Sequence, residues 1–425
     1  METQASGRSK RQTSHEFYKK LYKLTVAGGV AFWAADFAIS LSNLHVTDGR
    51  DSIRDQEPPT YEFLPRRIPH DSIMIDGHSG YISLQALHWL SRNKVPVFIL
   101  DFDGSLISSI LPPAPIKADL RAAQIKASQD SKMKFSVARS IVQAKIARNL
   151  QVLEWLGQRY DIERGVQLTK HEALRLGKAH NVVDLRTVEG RVALRYWQAY
   201  ASVIPECFDF HGRMTTSHQN NASDPVNLAL NYAYGVLEGE CRAAINTVGL
   251  EPSVGFLHET SHYQTKQSLV YDLQEPFRWI ADVAVMDALE SGVLDLPDFY
   301  FTGDDCWYRF EPEAKERFLE FLREQFNSGV RYKGRGLKWD TVIEEKTVEL
   351  GRYLTGRGDR LDFSEPLPEL DSVGNRELRE VILAMSPAVA RRRRIGKSTL
   401  HYLRKNAESR RSFRIYRKVL SRLRR

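Results

Sequence analysis

Cysteine is scarce in this 425-residue chain, and its three cysteines, Cys207, Cys241 and Cys306, lie far apart. An odd number of cysteines without any C-x-x-C pair argues against a disulfide framework and against a structural zinc site. Such a composition is typical of a reducing compartment. We therefore expect a cytoplasmic protein.

Long apolar runs are also missing. The longest, Leu24–Ser42, is interrupted by Asp36 and precedes no convincing cleavage site for a secretory signal. We interpret it as a buried strand or helix behind a polar, basic leader at residues 1–20, which the composition predicts to be disordered. No association with a membrane is expected.

Several common catalytic motifs do not occur in the sequence. We find no P-loop, no G-x-G-x-x-G pattern, no nucleophile elbow and no internal repeat. Chemistry driven by nucleoside triphosphates or nicotinamide cofactors is therefore not supported.

Basic residues are concentrated at the C-terminus. Residues 376–425 contain 17 lysines and arginines and three acidic residues, whereas the other 375 residues contain 44 basic and 50 acidic ones. A basic tail of this kind favours binding to a polyanion, most often nucleic acid, although it is also compatible with a merely solubilising role.

Composition and periodicity divide the chain into parts. Residues 21–115 contain β-rich runs and end at a proline-rich hinge, Pro112–Pro115, which indicates a small β-rich domain. Residues 116–357 show apolar residues at helical spacing and predict a helical domain. Residues 358–375 are rich in glycine, proline and acidic residues and resemble a linker. The predicted fold class is α+β, mostly α.

The basic tail has a helix-turn-helix pattern. Three short helices are predicted at Arg376–Met385, Ala388–Arg394 and Lys397–Asn406, with Ser386-Pro387 as a helix start and Gly396 in the last turn. Six apolar residues would form a small core: Leu378, Ile382, Val389, Ile395, Leu400 and Leu403. The predicted DNA-binding residues are Arg391, Arg392, Arg393, Arg394, Lys397, Ser398, Thr399, Arg404 and Lys405.

Three segments carry residue types that bind metal ions. Glu189 is predicted in the first turn of a helix, where a glutamate also serves simply to stabilise the helix dipole. His258 ends an apolar run and is equally compatible with a core or surface histidine. Asp272 and Glu275 are three residues apart and would share one helix face, as would any solvated acidic pair. Arg278 can pair with a carboxylate or with a phosphate.

Taken together, these residues have a coherent chemistry. Two or three carboxylates and one imidazole suit Mg²⁺ or Mn²⁺, with positions left for water and phosphate oxygens. An ion in such a site lowers the pKa of a bound water or hydroxyl and neutralises charge at phosphorus. Attack by water cuts a phosphodiester, and attack by a DNA 3′-hydroxyl joins two strands.

The order of the motifs resembles a known family. Glu189-Gly190, Asn227–Leu237 (N-L-A-L-N-Y-A-Y-G-V-L), Gly249–His258 (G-L-E-P-S-V-G-F-L-H) and Asp272–Arg278 (D-L-Q-E-P-F-R) are similar to the CRISPR-associated endonuclease that integrates new spacers. The resemblance covers about residues 60–355. The tail, in contrast, is similar to that of casposases, relatives that integrate a mobile element with the same active site.

The resemblance implies a fold, a site and partners. It implies a small N-terminal β-sandwich, an all-helical catalytic domain and a homodimer acting on double-stranded DNA, with a small partner subunit in spacer acquisition. It also implies a divalent metal held by Glu189, His258 and Glu275. Asp272 would help to position the ion or would orient His258, and Arg278 would have a supporting catalytic role. Spacer acquisition and casposon-type transposition remain alternatives, and a DNA-binding regulator with a vestigial metal site is a third.

Overall fold

The computed structural model describes most of the chain, with interruptions that are largest near the N-terminus. The described residues are 23–27, 29–35, 38–44, 60–63, 72–76, 80–82, 84–101, 103–113, 115, 117–213, 223–258, 267–302, 307–366, 376–408 and 422–423. The predicted leader at residues 1–20 lies outside them.

The N-terminal part consists mainly of strands. In chain order its elements are β1 (Lys23–Ala27), β2 (Gly29–Ala35), β3 (Ala38–Leu44), β4 (Thr60–Phe63), β5 (Ser72–Asp76), β6 (Gly80–Ile82), α1 (Leu84–Arg92), β7 (Val97–Leu100) and β8 (Leu106–Ile110). One four-stranded sheet has the order β1-β5-β7-β8 and the other has the order β4-β3-β2-β6. The apolar run at residues 24–42 contributes to strands of both sheets; the packing of the sheets as a sandwich stays a prediction.

The first sheet joins parallel and antiparallel pairs. β5 pairs in parallel with β1 and β7, with Ile73 opposite Val97, and β7 forms an antiparallel hairpin with β8. Ile73, Val97 and Phe98 are fully buried. Strands buried in this way are continuous apolar runs, as Val95–Leu100 is in the sequence.

The middle of the chain is helical. Its helices are α2 (Ala118–Gln129), α3 (Ser131–Gly157), α4 (Glu163–Ala173), α5 (Val182–Ala201), α6 (Pro225–Val248), α7 (Ser268–Gln274), α8 (Arg278–Glu290), α9 (Pro312–Phe326) and α10 (Trp339–Leu354). Short 3₁₀ turns occur at Leu174–Lys178, Glu206–Phe208, Glu275–Phe277 and Leu296–Asp298.

The prediction of an all-helical domain was wrong in one respect. Two antiparallel hairpins interrupt the helices: β9 (Phe299–Thr302) with β10 (Trp307–Phe310), and β11 (Gly329–Tyr332) with β12 (Arg335–Lys338). Each strand has only four residues, so its alternating pattern is too short to stand out from the helices around it.

Two helices lie at the centre of the helical domain. Most residues of α6 and nearly all of α8 are buried, and this explains why α8 is apolar on nearly all sides and α6 is apolar over most of its first half. Asp224 caps α6 by accepting a hydrogen bond from the backbone of Asn227 at 2.7 Å.

The β7–β8 turn packs directly on α6. Gly104, with φ +83°, lies against the backbone of Tyr232, and a Cβ on Gly235 would stand 2.1 Å from the carbonyl oxygen of Gly104. Two glycines therefore allow a backbone-to-backbone approach that no larger residue permits.

Part of the predicted linker is held against the helices. Arg148 of α3 is buried and donates to the carbonyl oxygens of Ser364 and Pro366, and Phe363 is buried as well. Lys346 of α10 donates to the carbonyl of Asp362 at 2.6 Å. Residues 361–366 thus form a strap on the helical domain; residues 367–375 lie outside the described part.

The tail has three helices, α11 (Arg376–Ala384), α12 (Pro387–Arg392) and α13 (Lys397–Glu408). Ser386 caps α12 through the backbone of Val389. The small core includes the predicted Ile382, Ile395, Leu400 and Leu403, with Val389 packed against it. The side chain of Leu378 lies outside the described part.

None of the described helices has the length and apolar character needed to cross a membrane.

Candidate metal centre

Glu189 lies on α5, well inside the helix. The prediction that it occupies a first turn was wrong, because α5 begins at Val182, where Asn181 accepts a hydrogen bond from the backbone of Asp184 at 2.9 Å. An interior position gives the Glu189 carboxylate no role at the helix dipole. It leaves the side chain directed toward α3.

Asp272 fixes the loop that carries His258. Its Oδ2 atom accepts from the backbone of Phe256 at 2.5 Å and Leu257 at 3.0 Å, and Oδ1 accepts from the backbone of His258 at 2.9 Å. Oδ1 also lies 2.8 Å from Nδ1 of the His258 ring. Asp272 is fully buried, so its charge is satisfied by these donors rather than by solvent.

The contact with Asp272 determines how His258 presents its ring. An Nδ1–H that donates to a carboxylate leaves Nε2 as the nitrogen with a free lone pair. Burial alone would lower the pKa of His258, but the hydrogen bond and the charge of Asp272 raise it. His258 Nε2 lies 3.9 Å from Oε1 of Glu275.

Glu275 begins the 3₁₀ turn between α7 and α8 and is almost fully buried. Arg278, at the start of α8, places its Nε atom 3.2 Å from Glu275 Oε1. Burial would raise the pKa of Glu275, but Arg278, Lys145 and His258 hold that pKa well below its usual range. Glu275 is therefore a carboxylate at neutral pH.

Lys145 of α3 joins the two glutamates. Its Nζ atom lies 2.5 Å from Glu275 Oε2 and forms a short ion pair with Glu189 Oε1. Burial would lower the pKa of Lys145, but the charges of Glu275 and Glu189 raise it. Lys145, which the sequence analysis did not single out, thus connects the segments of Glu189 and Glu275, and His258 lies on the other oxygen of Glu275.

A buried tyrosine network holds the surrounding helices together. Tyr196 of α5 and Tyr234 of α6 donate to the two carboxylate oxygens of Asp282, at 2.7 and 2.5 Å. Tyr200 donates to the backbone carbonyl of Asp282. Because Asp282 lies on α8, one carboxylate ties together the helices that carry Glu189 and Arg278.

The residues fit a divalent cation by donor type. Two carboxylates and an imidazole nitrogen suit Mg²⁺ or Mn²⁺. Glu275 Oε2 is buried and lies 2.5 Å from Lys145 Nζ, so an ion would reach this oxygen only if the ammonium moved. In the described part of the chain, no three side chains of His, Cys, Asp or Glu stand at metal-binding separations, and Lys145 lies between the two glutamates.

The predicted DNA-binding residues of the tail differ in their contacts and exposure. Two of them make internal contacts: Arg393 donates to the carbonyl of Leu423 and Arg404 donates to that of Met385. Thr399 is half-buried, and the remaining six are exposed: Arg391, Arg392, Arg394, Lys397, Ser398 and Lys405.

Lys145 was missed because a single lysine in a long helix carries little signal. The signal that was available is its position: Ile141, Lys145 and Val152 follow one face of α3 at helical spacing, and the flanking positions are buried. Lys145 and Arg148 are the two charged residues on this largely buried face, and a charged residue at a buried position is usually paired.

Comparison with known proteins identifies the family. The family model of CRISPR associated protein Cas1 matches residues 41–324, and the chain belongs to that family. A CRISPR-associated endonuclease Cas1 of Archaeoglobus fulgidus is 29% identical over 302 residues, which cover 67% of this chain and 86% of that protein. A CRISPR-associated endonuclease Cas1 of Thermus thermophilus is 32% identical over 327 residues, covering 76% and 96% of the two chains.

Among solved structures, a casposase bound to its integration product is similar to this chain. The two are 34% identical with a TM-score of 0.73, and the match covers 86% of this chain and 99% of the casposase. The predicted family and the likeness to casposases are thereby confirmed, as is a mostly helical α+β fold.

Proposed function

We propose that the protein is a metal-dependent DNA endonuclease and integrase that joins a DNA 3′-hydroxyl to a target phosphodiester. The observation that carries the proposal is a chain of contacts between three segments: Glu189 and Glu275 share the ammonium of Lys145, and His258 Nε2 lies 3.9 Å from Oε1 of Glu275. The names of the relatives, endonucleases and a casposase, support the same chemistry.

Each residue of the centre has a distinct role in the proposal. Glu189, Glu275 and His258 Nε2 would hold Mg²⁺ or Mn²⁺, and the bound ion would activate the attacking oxygen and offset charge at phosphorus. Asp272 keeps the His258 ring in the orientation and tautomer that direct Nε2 inward. Arg278 holds Glu275 in place through its ion pair.

The DNA would pass beside Arg278. Arg278 and Arg213 line a cavity of about 240 Å³ next to the centre, and both guanidinium groups lie against the ring of Tyr234, at 4.8 and 5.1 Å. A guanidinium group that stacks on a ring can still donate hydrogen bonds to phosphate oxygens through the N–H groups in its plane. The exposed basic residues of the tail add contacts to the backbone of double-stranded DNA.

The test is a strand-joining assay with purified protein. A labelled duplex with a free 3′-hydroxyl and a supercoiled plasmid are incubated with Mn²⁺ or Mg²⁺, and labelled plasmid is measured. We expect joining by the wild type, and a loss of at least about 100-fold in Glu189→Gln and His258→Ala, the scale typical when a catalytic group is removed. Joining that persists in these variants contradicts the assignment.

The attacking group is checked with a terminated donor. A duplex that ends in a 3′-dideoxynucleotide has no hydroxyl to attack the target, so joining should stop while hydrolytic nicking of the plasmid continues. DNA binding without either reaction, in all metals, would instead support a regulator with a vestigial centre.

Two biological settings share this chemistry, and the casposase likeness favours transposition. The solved casposase is 34% identical to this chain, and the match extends over 99% of the casposase. In the transposition setting, a donor with terminal inverted repeats is joined by this protein alone. In spacer acquisition, joining into a repeat array requires a small partner subunit, and comparing the two substrates distinguishes the settings.

A homodimer is the proposed assembly, in line with the family resemblance. Light scattering of the purified protein with and without donor DNA measures the mass, and a monomer under both conditions would refute it.

A further inference from the structure

Lys145 occupies the space between the two glutamates of the centre. Its ammonium is in ion-pair contact with Glu189 and lies 2.5 Å from Glu275 Oε2. Carboxylate oxygens bind divalent cations at about 2.0–2.6 Å, so an ion shared by the same two oxygens needs the position that Nζ fills.

The lysine is placed there by the fold. Lys145 is largely buried, with 13% of its side chain exposed, and it lies near the middle of the 27-residue helix α3. Its neighbours Ala144 and Ile146 are buried in the core, which fixes the helix and therefore the start of the side chain. The long, flexible lysine side chain can nevertheless move its ammonium by several ångströms.

From this geometry we propose that Lys145 is a positioning residue that holds Glu189 and Glu275 together and that a divalent cation must displace. The inference rests on the proposed function, since it assumes that the two glutamates bind the ion. Displaced from between the carboxylates, the ammonium stays beside the reacting phosphate and offsets its charge.

Two consequences follow from electrostatics. Without the ammonium, the buried carboxylate of Glu275 and the partly exposed carboxylate of Glu189 repel each other, and only part of this repulsion is offset by Arg278 and His258 beside Glu275, so the metal-free protein is less stable. For the same reason, a divalent cation binds more favourably to the protein without the ammonium, because binding then breaks no ion pair and relieves the repulsion between the carboxylates. Removing Lys145 should therefore tighten metal binding and slow strand joining at the same time.

The experiment is a titration of the full-length protein with Mn²⁺, followed by electron paramagnetic resonance, for the wild type and Lys145→Met. We expect the variant to bind Mn²⁺ more tightly by on the order of tenfold, equivalent to about 1.4 kcal/mol. The rise in melting temperature caused by Mn²⁺ should also be larger than in the wild type. Joining activity should fall despite the tighter binding.

Matched variants separate this role from simple packing. Lys145→Arg retains the charge and should keep Mn²⁺ affinity near that of the wild type and recover part of the joining rate. Lys132→Met removes an exposed lysine of the same helix and should change nothing. Lys145→Gln replaces the methionine variant if the latter does not fold.

The outcomes are distinct. Mn²⁺ affinity that is unchanged or weaker in Lys145→Met overturns the role of Lys145. If Glu189→Gln binds Mn²⁺ as the wild type does, the metal centre itself, and with it the proposed function, is wrong. Loss of Mn²⁺ binding in Glu189→Gln with no change in Lys145→Met refutes only the inference about the lysine.

Discussion

At the scale of single residues, Asp272 shows how a buried carboxylate acts without touching the substrate. Its carboxylate accepts hydrogen bonds from the backbone N–H groups of residues 256–258 and contacts the ring of His258. The sequence placed Asp272 beside Glu275 on one helix face, and left open whether it would position the ion or orient His258. In the structure its oxygens are occupied by the loop, which favours the second role.

Asp272→Asn tests this role. An asparagine keeps one acceptor but presents an NH₂ group to backbone donors, so the loop loosens and the His258 ring loses its fixed tautomer. We expect Mn²⁺ affinity to fall by about 10–100-fold, the usual effect of losing such an outer partner. Calorimetric titration measures it, and an unchanged affinity would show that His258 needs no partner.

At the scale of elements, the contact between the β7–β8 turn and α6 depends on Gly235. A methyl group there would stand 2.1 Å from the Gly104 carbonyl oxygen, so Gly235→Ala must push the turn away from the helix. We expect a loss of about 1–3 kcal/mol in the free energy of unfolding, the cost of overpacking. Chemical denaturation measures the change.

Gly190→Ala is the matched control for that prediction. Gly190 is also in the interior of a helix, but nothing lies within 4 Å of an added Cβ. The substitution should stabilise α5 by roughly 0.5–1 kcal/mol, because alanine loses less backbone entropy than glycine. If the two substitutions changed the free energy of unfolding equally, the close contact between the β7–β8 turn and α6 would be refuted.

The strap at residues 361–366 is a second element-scale feature, and it depends on Arg148. Burial lowers the pKa of Arg148 to about 10, yet the guanidinium remains charged at neutral pH and donates to two strap carbonyls. Arg148→Met leaves these carbonyls unpaired, which costs about 1–3 kcal/mol. Hydrogen exchange of the backbone amides in residues 361–366 should become faster, while exchange in α6 stays unchanged. An equal acceleration across the whole protein would contradict a local role of Arg148.

At the scale of the whole molecule, the charge of the chain is divided between an acidic body and a basic tail. Four exposed tail residues, Arg391, Arg392, Arg394 and Lys397, make no contribution to the small core of the tail, so they can be replaced by alanine without loss of folding. If each contacts a phosphate, the slope of log binding constant against log salt should become less steep by about 3–4.

The control for this prediction replaces Arg393 and Arg404, which donate to backbone carbonyls within the tail. These changes should lower the stability of the tail rather than alter the salt slope alone. Fluorescence anisotropy at several salt concentrations measures the DNA affinity, and hence the salt slope, of both variants. An unchanged slope in the four-residue variant would refute the tail as a DNA-binding surface.

The sequence by itself determined the family and the main divisions of the chain. The order of the Glu189, Asn227–Leu237, Gly249–His258 and Asp272–Arg278 motifs identified the family, because several weak motifs in a fixed order are together specific. Helical periodicity predicted most helices, and Ser386 was correctly named as a cap.

Tertiary structure alone decided the environment of each charged group. The position of Lys145 between two glutamates, the approach of Gly104 to Gly235 and the capture of the strap by Arg148 all join segments far apart in the chain. Local sequence determines which backbone conformations are favourable. Which opposite charges share a buried space depends on how the helices pack, and that packing is set by the whole apolar core.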